Sequence, residues 1–174
     1  KMLCENQTQI NWYVRKPSTI EFFKKHQHNK RYLSSVNFDL NQLQLSSDVN
    51  EVVNNSDILI IAIPSAFLDA TLQKIKVSLK DKYIVSGVKG IVPESKYIVG
   101  DHLHQNFDLP WDQFLVIAGP SHAEEVALER LSYLTLAQIF PCLETSLQSG
   151  NIIYTPTGVY IVKISSNYPH PLVE

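Results

Sequence analysis

Ile58-Leu-Ile-Ile-Ala-Ile63 is an apolar run with no polar alternation, rich in β-branched side chains. A strand with one solvated face alternates, whereas an unbroken apolar run belongs to a parallel strand covered on both faces. The run is therefore expected to be a central strand of an α/β sheet. Pro64-Ser65 ends it and caps a helix expected over residues 66–77.

The same rhythm recurs on both sides. Residues 9–14 read as a short strand, and Pro17-Ser18 opens an amphipathic helix to about residue 26, with Ile20, Phe22 and Phe23 as its apolar contributors. A strand at 43–45 precedes a helix capped by Ser46-Ser-Asp48 and reaching residue 54. Strands at 83–86 and 114–118, helices at 94–105 and 123–130, and a strand within 132–137 complete the series. Repeated βα units predict a doubly wound parallel α/β sheet. Residues 138–174 break the pattern, because Pro141, Pro156, Pro169 and Pro171 punctuate them and the β-leaning runs 151–154 and 159–164 have no helix between them. This C-terminal tail is left unassigned.

Two strands run into glycine loops. Ile84-Val-Ser-Gly-Val-Lys-Gly-Ile91 carries a single cation, Lys89, between glycines, and Gly119-Pro-Ser-His-Ala-Glu-Glu-Val-Ala127 turns from a strand into a helix start. Gly119 lets a ligand approach the backbone, Pro120 suits a first helical turn, and Ser121 sets a hydroxyl beside N–H groups that favour anions. Ligands of doubly wound folds sit outside the carboxyl ends of the strands, so both loops are expected to converge on one phosphate or carboxylate. The bland alternatives are a solvated loop lysine for Lys89 and a simple cap for Ser121.

Arg15, helped by Lys16, stands at the end of the strand at 9–14, which reads as the second strand of the fold, where the adenosine ribose is met. In a dinucleotide-binding fold an acidic residue there suits the 2′-hydroxyl of NAD, and an arginine suits the 2′-phosphate of NADP, so NADP is favoured. A surface basic pair is the alternative. None of the six glycines forms a GxGxxG spacing, so the pyrophosphate loop of such a fold is expected to lie before Lys1. The opening Lys1-Met-Leu-Cys-Glu-Asn6 likewise reads as the tail of a helix already under way.

Composition narrows the partners. Fifteen Lys and Arg against seventeen Asp and Glu, a net charge of -2, and no long basic run argue against nucleic acid. Cys4 and Cys142 form no CxxC or Cys/His cluster, which fits a reducing, cytoplasmic home without structural zinc. His102 and His104, like His26 and His28, are two apart and cannot share a metal at i, i+4 spacing, and Glu124 with Glu125 suits a helix dipole better than a catalytic pair. No metal site is expected. No apolar run approaches the ~20 residues of a membrane span, and no leader is expected.

In order, Trp12-Tyr-Val-Arg-Lys-Pro17, Asn29-Lys-Arg-Tyr-Leu33, Ser56-Asp-Ile-Leu-Ile-Ile-Ala-Ile-Pro-Ser65, Ser86-Gly-Val-Lys-Gly90 and Gly119-Pro-Ser-His-Ala-Glu-Glu-Val-Ala127 resemble the bacterial NAD(P)-dependent glycerol-3-phosphate dehydrogenases, over residues 1–136. The resemblance implies a Rossmann-like fold, here incomplete, with a partial NAD(P)-binding domain at 1–137 and the tail at 138–174. It implies reversible reduction of dihydroxyacetone phosphate to sn-glycerol 3-phosphate for phospholipid synthesis, and a homodimer for the intact family member. It further implies that Lys89 touches substrate and cofactor, that Gly119 and Ser121 hold substrate, and that Ala123 lies against the cofactor. Arg15 and Lys16 match the adenosine end, and Ile63-Pro64-Ser65 the loop beside the dinucleotide. Family members also carry an N-terminal glycine loop and a helical domain with the proton-transferring lysine. Neither is matched here and Lys163 lies in no such motif, so no catalytic residue is assigned and this chain is expected to be a truncated, inactive form. A ketopantoate or hydroxyacid reductase, and a non-catalytic nucleotide-binding or interaction module, are the alternatives.

Overall fold

The computed structural model describes residues 3, 9–30, 32–119, 134–138, 152–154 and 159–162. Two sheets carry its strands. The first pairs β1 (Ile10–Tyr13) with β2 (Leu43–Ser46) in parallel, Ile10 opposite Leu43. The second begins with β3 (Ile58–Ile61), β4 (Tyr83–Ser86) and β5 (Phe114–Ala118), parallel to one another. It continues antiparallel through β6 (Leu134–Gln138), β8 (Val159–Val162) and β7 (Ile152–Tyr154), in the order β3-β4-β5-β6-β8-β7.

Helix α1 (Pro17–His26) forms where the sequence places it. Proline fits its first turn, Lys24, Lys25 and His26 complement the negative end of its dipole, and Gln27 closes it with φ 57° and an N–H bond to Phe23 O. Its Phe23 meets Trp12 of β1 edge-on at 5.3 Å, and Phe38 joins both rings at 5.7 and 5.9 Å. The neighbouring Tyr13 packs instead against the main core. Successive strand residues face opposite ways, so α1 lies on one side of β1 and the main core on the other, which is the double winding expected of this fold class.

The main core is aliphatic. Helix α2 (Val49–Asn54) is capped by Asp48, which accepts from Asn50 N at 2.8 Å. Helices α2, α3 (Leu68–Leu72) and α4 (Val99–Phe107) bury Val49, Val53, Leu68, Leu72, Val99 and Leu103 against Ile84 and Phe114 of the sheet. At Gly100 the α4 backbone comes so close to β5 that an added Cβ would stand 2.7 Å from Phe114 Cε1.

Three sequence expectations are corrected. The Ile58 run is not central among the described strands: β3 is the edge of its sheet, and Ile58 and Ile60 are 60% and 47% exposed. The helix expected over 66–77 is a 3-10 turn at Ser65–Phe67 followed only by α3. Beyond it, the Asn50 side chain captures Lys76 N at 2.6 Å and Lys74 O at 3.1 Å, drawing the chain out of helical geometry. The helix expected over 94–105 starts at Val99, because Ile91 and Ile98 bridge and Val92 N bonds Tyr97 O at 2.8 Å, closing residues 92–97 into a loop. The helix expected at 123–130 lies outside the described residues.

Candidate functional site

Strands β3 and β4 end level, with Ile61 opposite Ser86, and β5 runs two residues past Val116, the partner of Ser86. Their carboxyl ends therefore form one edge, and three loops leave it side by side. From β4 comes Gly87-Val-Lys-Gly90, tied to β3 where Gly87 N donates to Ile61 O at 2.9 Å. Ser86 is buried, and its hydroxyl accepts Val88 N at 3.2 Å, folding the chain into a tight turn just before Lys89. Gly90 follows with φ 89°, a conformation that favours glycine, and leaves Lys89 projecting from an exposed loop.

Gly119 directly follows β5 with φ 127°. A side chain would be strained there, so the backbone stays bare at the strand end next to the Lys89 loop. Two of the sequence-assigned substrate residues, Lys89 and Gly119, thus share one edge. Ser121 and Ala123, assigned to substrate and cofactor, lie outside the described residues.

Arg15 and Lys16 follow the carboxyl end of β1, both exposed, with Lys16 as the residue before α1. They belong to the other sheet and are separated from the Lys89 loop by β3. The Pro64-Ser65 turn leaves β3 between them. Cations thus follow the carboxyl ends of β1 and β4, and bare backbone follows β5, an arrangement suited to an anionic ligand. Two clefts, one against Gln44 and Glu51 and one between β1 and β3, include none of Arg15, Lys16, Lys89 or Gly119.

Reading the residues alone missed Ser86 as the side chain that shapes the lysine loop. The signal was its place two residues before Val88, where a serine hydroxyl can satisfy a backbone N–H. Also unanticipated is His102, only 2% exposed, whose Nδ1 lies 2.9 Å from Ser95 Oγ and whose Nε2 lies 3.2 Å from Asp69 Oδ1. The Asp69 contact is near enough for an ion pair but is not aligned as a hydrogen bond. His102 pins α4 to α3 and to the 92–97 loop, away from the strand ends, and His104 on the same helix is exposed and stacked on Trp111. Among the described residues no three His, Cys, Asp or Glu side chains are grouped to hold a metal ion.

A family model described as the N-terminus of NAD-dependent glycerol-3-phosphate dehydrogenase matches residues 1–139. The chain belongs to this family. Among curated relatives, a glycerol-3-phosphate dehydrogenase [NAD(P)+] from Neorickettsia sennetsu is 28% identical over 137 residues, covering 78% of this chain and 40% of the relative. One from a Thermoanaerobacter species is 30% identical over 133 residues, covering 75% of this chain and 38% of the relative. The chain thus spans about 40% of the length of the curated relatives it matches. A solved glycerol-3-phosphate dehydrogenase from Coxiella burnetii superposes with a TM-score of 0.66 at 21% identity, over 78% of this chain and 41% of that one. One from Plasmodium falciparum gives 0.64 at 20% identity, over 75% and 37%. These superpositions support the Rossmann-like fold of the strand-end edge.

Proposed function

We propose that this chain is the dinucleotide-binding part of a glycerol-3-phosphate dehydrogenase and binds NADP(H) in preference to NAD(H). The family match supports the chemistry: a nicotinamide hydride passes to the central carbonyl carbon of dihydroxyacetone phosphate, a proton reaches its oxygen, and glycerol 3-phosphate results. The observation that carries the reading is the pairing of the Lys89 and Gly119 loops at the ends of adjacent parallel strands. Lys89 binds substrate and cofactor, offsetting phosphate charge or the oxyanion that develops during transfer. Gly119 and Ser121 hold the substrate and Ala123 contacts the cofactor. Arg15, with Lys16, receives the 2′-phosphate.

The domain boundary proposed is 1–137 for the dinucleotide-binding part, with β8 and β7 of the 138–174 tail extending its sheet beyond β6. No residue here is assigned the proton-transfer step, so the chain alone binds cofactor without turning over substrate. The natural setting proposed is the cytoplasm, in a homodimeric intact enzyme; among the described residues no helix is long and apolar enough to cross a membrane.

Calorimetric titration with NADPH and NADH tests the reading. NADPH is expected to bind more tightly, and Arg15→Ala to bring the two cofactors to equal affinity. Equal affinities in the unaltered chain would remove the NADP preference, and no heat with either cofactor from a folded chain would remove the binding assignment. Consumption of NADPH with dihydroxyacetone phosphate, abolished by Lys89→Ala, would contradict the claim of binding without turnover.

A further inference from the structure

The backbone on either side of Lys89 is anchored. Before it, Gly87 N bonds Ile61 O and the Ser86 hydroxyl accepts Val88 N. After it, Gly90 at φ 89° turns the chain into Ile91, which bridges Ile98, and the fully buried Val92 sets its N–H on Tyr97 O at 2.8 Å. Lys96 N returns to Val92 O at 2.8 Å, and Lys96 takes φ 61°, a left-handed conformation that costs a side-chain-bearing residue energy. The 92–97 loop must therefore be held shut, and where it is held decides where the chain leaving Lys89 lands.

A chain of polar side chains holds it. Ser95 Oγ accepts Tyr97 N at 3.3 Å inside the loop and lies 2.9 Å from His102 Nδ1 in α4. Asn106 Nδ2, one turn further along α4, stands 3.3 Å from the same ring nitrogen and donates to His102 O at 2.9 Å. Two donors thus meet Nδ1, the Ser95 hydroxyl and the Asn106 amide, which puts the ring proton on Nε2. Nε2 stands 3.2 Å from Asp69 Oδ1 of α3, so the opposite tautomer would set a lone pair against a carboxylate. The ring is buried, where a lost hydrogen bond is not replaced by water. An apolar side chain fills a core position on α4 at Val99 and Leu103, whereas an imidazole there pays a desolvation cost that only its polar contacts offset.

We propose that His102 is a positioning residue for the strand-end site: through Ser95 it holds the 92–97 loop closed, and the closed loop fixes the backbone beyond Lys89, so that this lysine meets its anionic ligand already in place. The role rests on the assignment of Lys89 to cofactor binding. His102 does not touch the ligand, because its ring is enclosed by Ser95 of the loop, Asp69 of α3, and Asn106 and Phe107 of α4. Its effect is preorganisation: an ordered loop spares the ligand the cost of ordering Lys89 on binding.

Two substitutions separate the contacts of the ring. In His102→Asn the amide reaches the place of Nδ1 and keeps a partner for Ser95, and in His102→Gln it reaches that of Nε2 and keeps Asp69. Ser95→Ala removes the hydroxyl from a half-buried position where the fold tolerates the loss. The full chain and these variants are compared by amide hydrogen exchange in NMR and by calorimetric titration with NADPH. Exchange at Val92 and Lys96 is expected to quicken about three- to tenfold in His102→Gln and Ser95→Ala, and to stay within about twofold of the unaltered chain in His102→Asn. NADPH affinity should fall by a similar factor in the first two and hold in the third. Tyr83 and Gly87, whose N–H groups bond Asp57 and Ile61, report the rest of the sheet and should exchange as before. A histidine that merely fills the core would make His102→Asn no better than His102→Gln, and that result would overturn the proposal. Unchanged exchange at Val92 and Lys96 in Ser95→Ala would overturn it too, as would an unchanged NADPH affinity in that variant while the unaltered chain binds. No binding of NADPH by the unaltered chain would instead remove the cofactor assignment of Lys89, and the positioning role with it.

Discussion

The parallel strands β3, β4 and β5 present two faces of unequal character. On one, Leu59, Ile84 and Phe114 lie in register, followed by Ile61, Ser86 and Val116, and α2, α3 and α4 close over them into the aliphatic core. On the other, Ile58 pairs with Tyr83 and Ile60 with Val85, and Ile58, Ile60 and Tyr83 stay about half exposed or more. Both faces carry residues that avoid water. Among the described residues, what separates them is the presence of helices to pack on, not side-chain chemistry, and an apolar sheet face left open marks a surface for contact or a liability for aggregation.

The comparison is broken most forcefully from the covered side. Leu103 in α4 is fully buried, and Leu103→Ala is expected to destabilise the protein by about 2–5 kcal/mol, read from the urea midpoint. Gly100→Ala drives a methyl into Phe114 and should cost about 1–3 kcal/mol, with Phe114→Leu in the same chain recovering part of the loss. Asp48→Ala removes the α2 cap and should cost about 0.5–2 kcal/mol. On the open face, Ile60→Thr is expected to leave the midpoint within about ±0.5 kcal/mol. The same substitution should reduce aggregation in light scattering, and a loss of stability comparable to that of Leu103→Ala would mean that this face is covered.

The same contrast explains what the sequence made legible. Helix α1, strands β4 and β5 and the α2 cap follow from nearby residues: Pro17 at a helix start, apolar runs ending in glycine, and Asp48 before Val49. The position of β3 does not, because an unbroken apolar run states that both faces avoid water and says nothing of what covers them. The early end of α3 was equally hidden, since it depends on Asn50 reaching Lys74 and Lys76 from more than twenty residues away. At the site, the shared edge of Lys89 and Gly119 follows from two strands ending in glycine loops. The turn made by Ser86 was visible in principle but indistinguishable from an ordinary strand serine.

Hydroxyl-radical footprinting of the native chain, read residue by residue by mass spectrometry, tests the two-faced sheet most directly. Ile58, Ile60 and Tyr83 are expected to label strongly, while Leu59, Ile84, Leu103 and Phe114 stay shielded until the protein unfolds. Equal shielding of Ile58 and Leu59 in the native chain would contradict the open face.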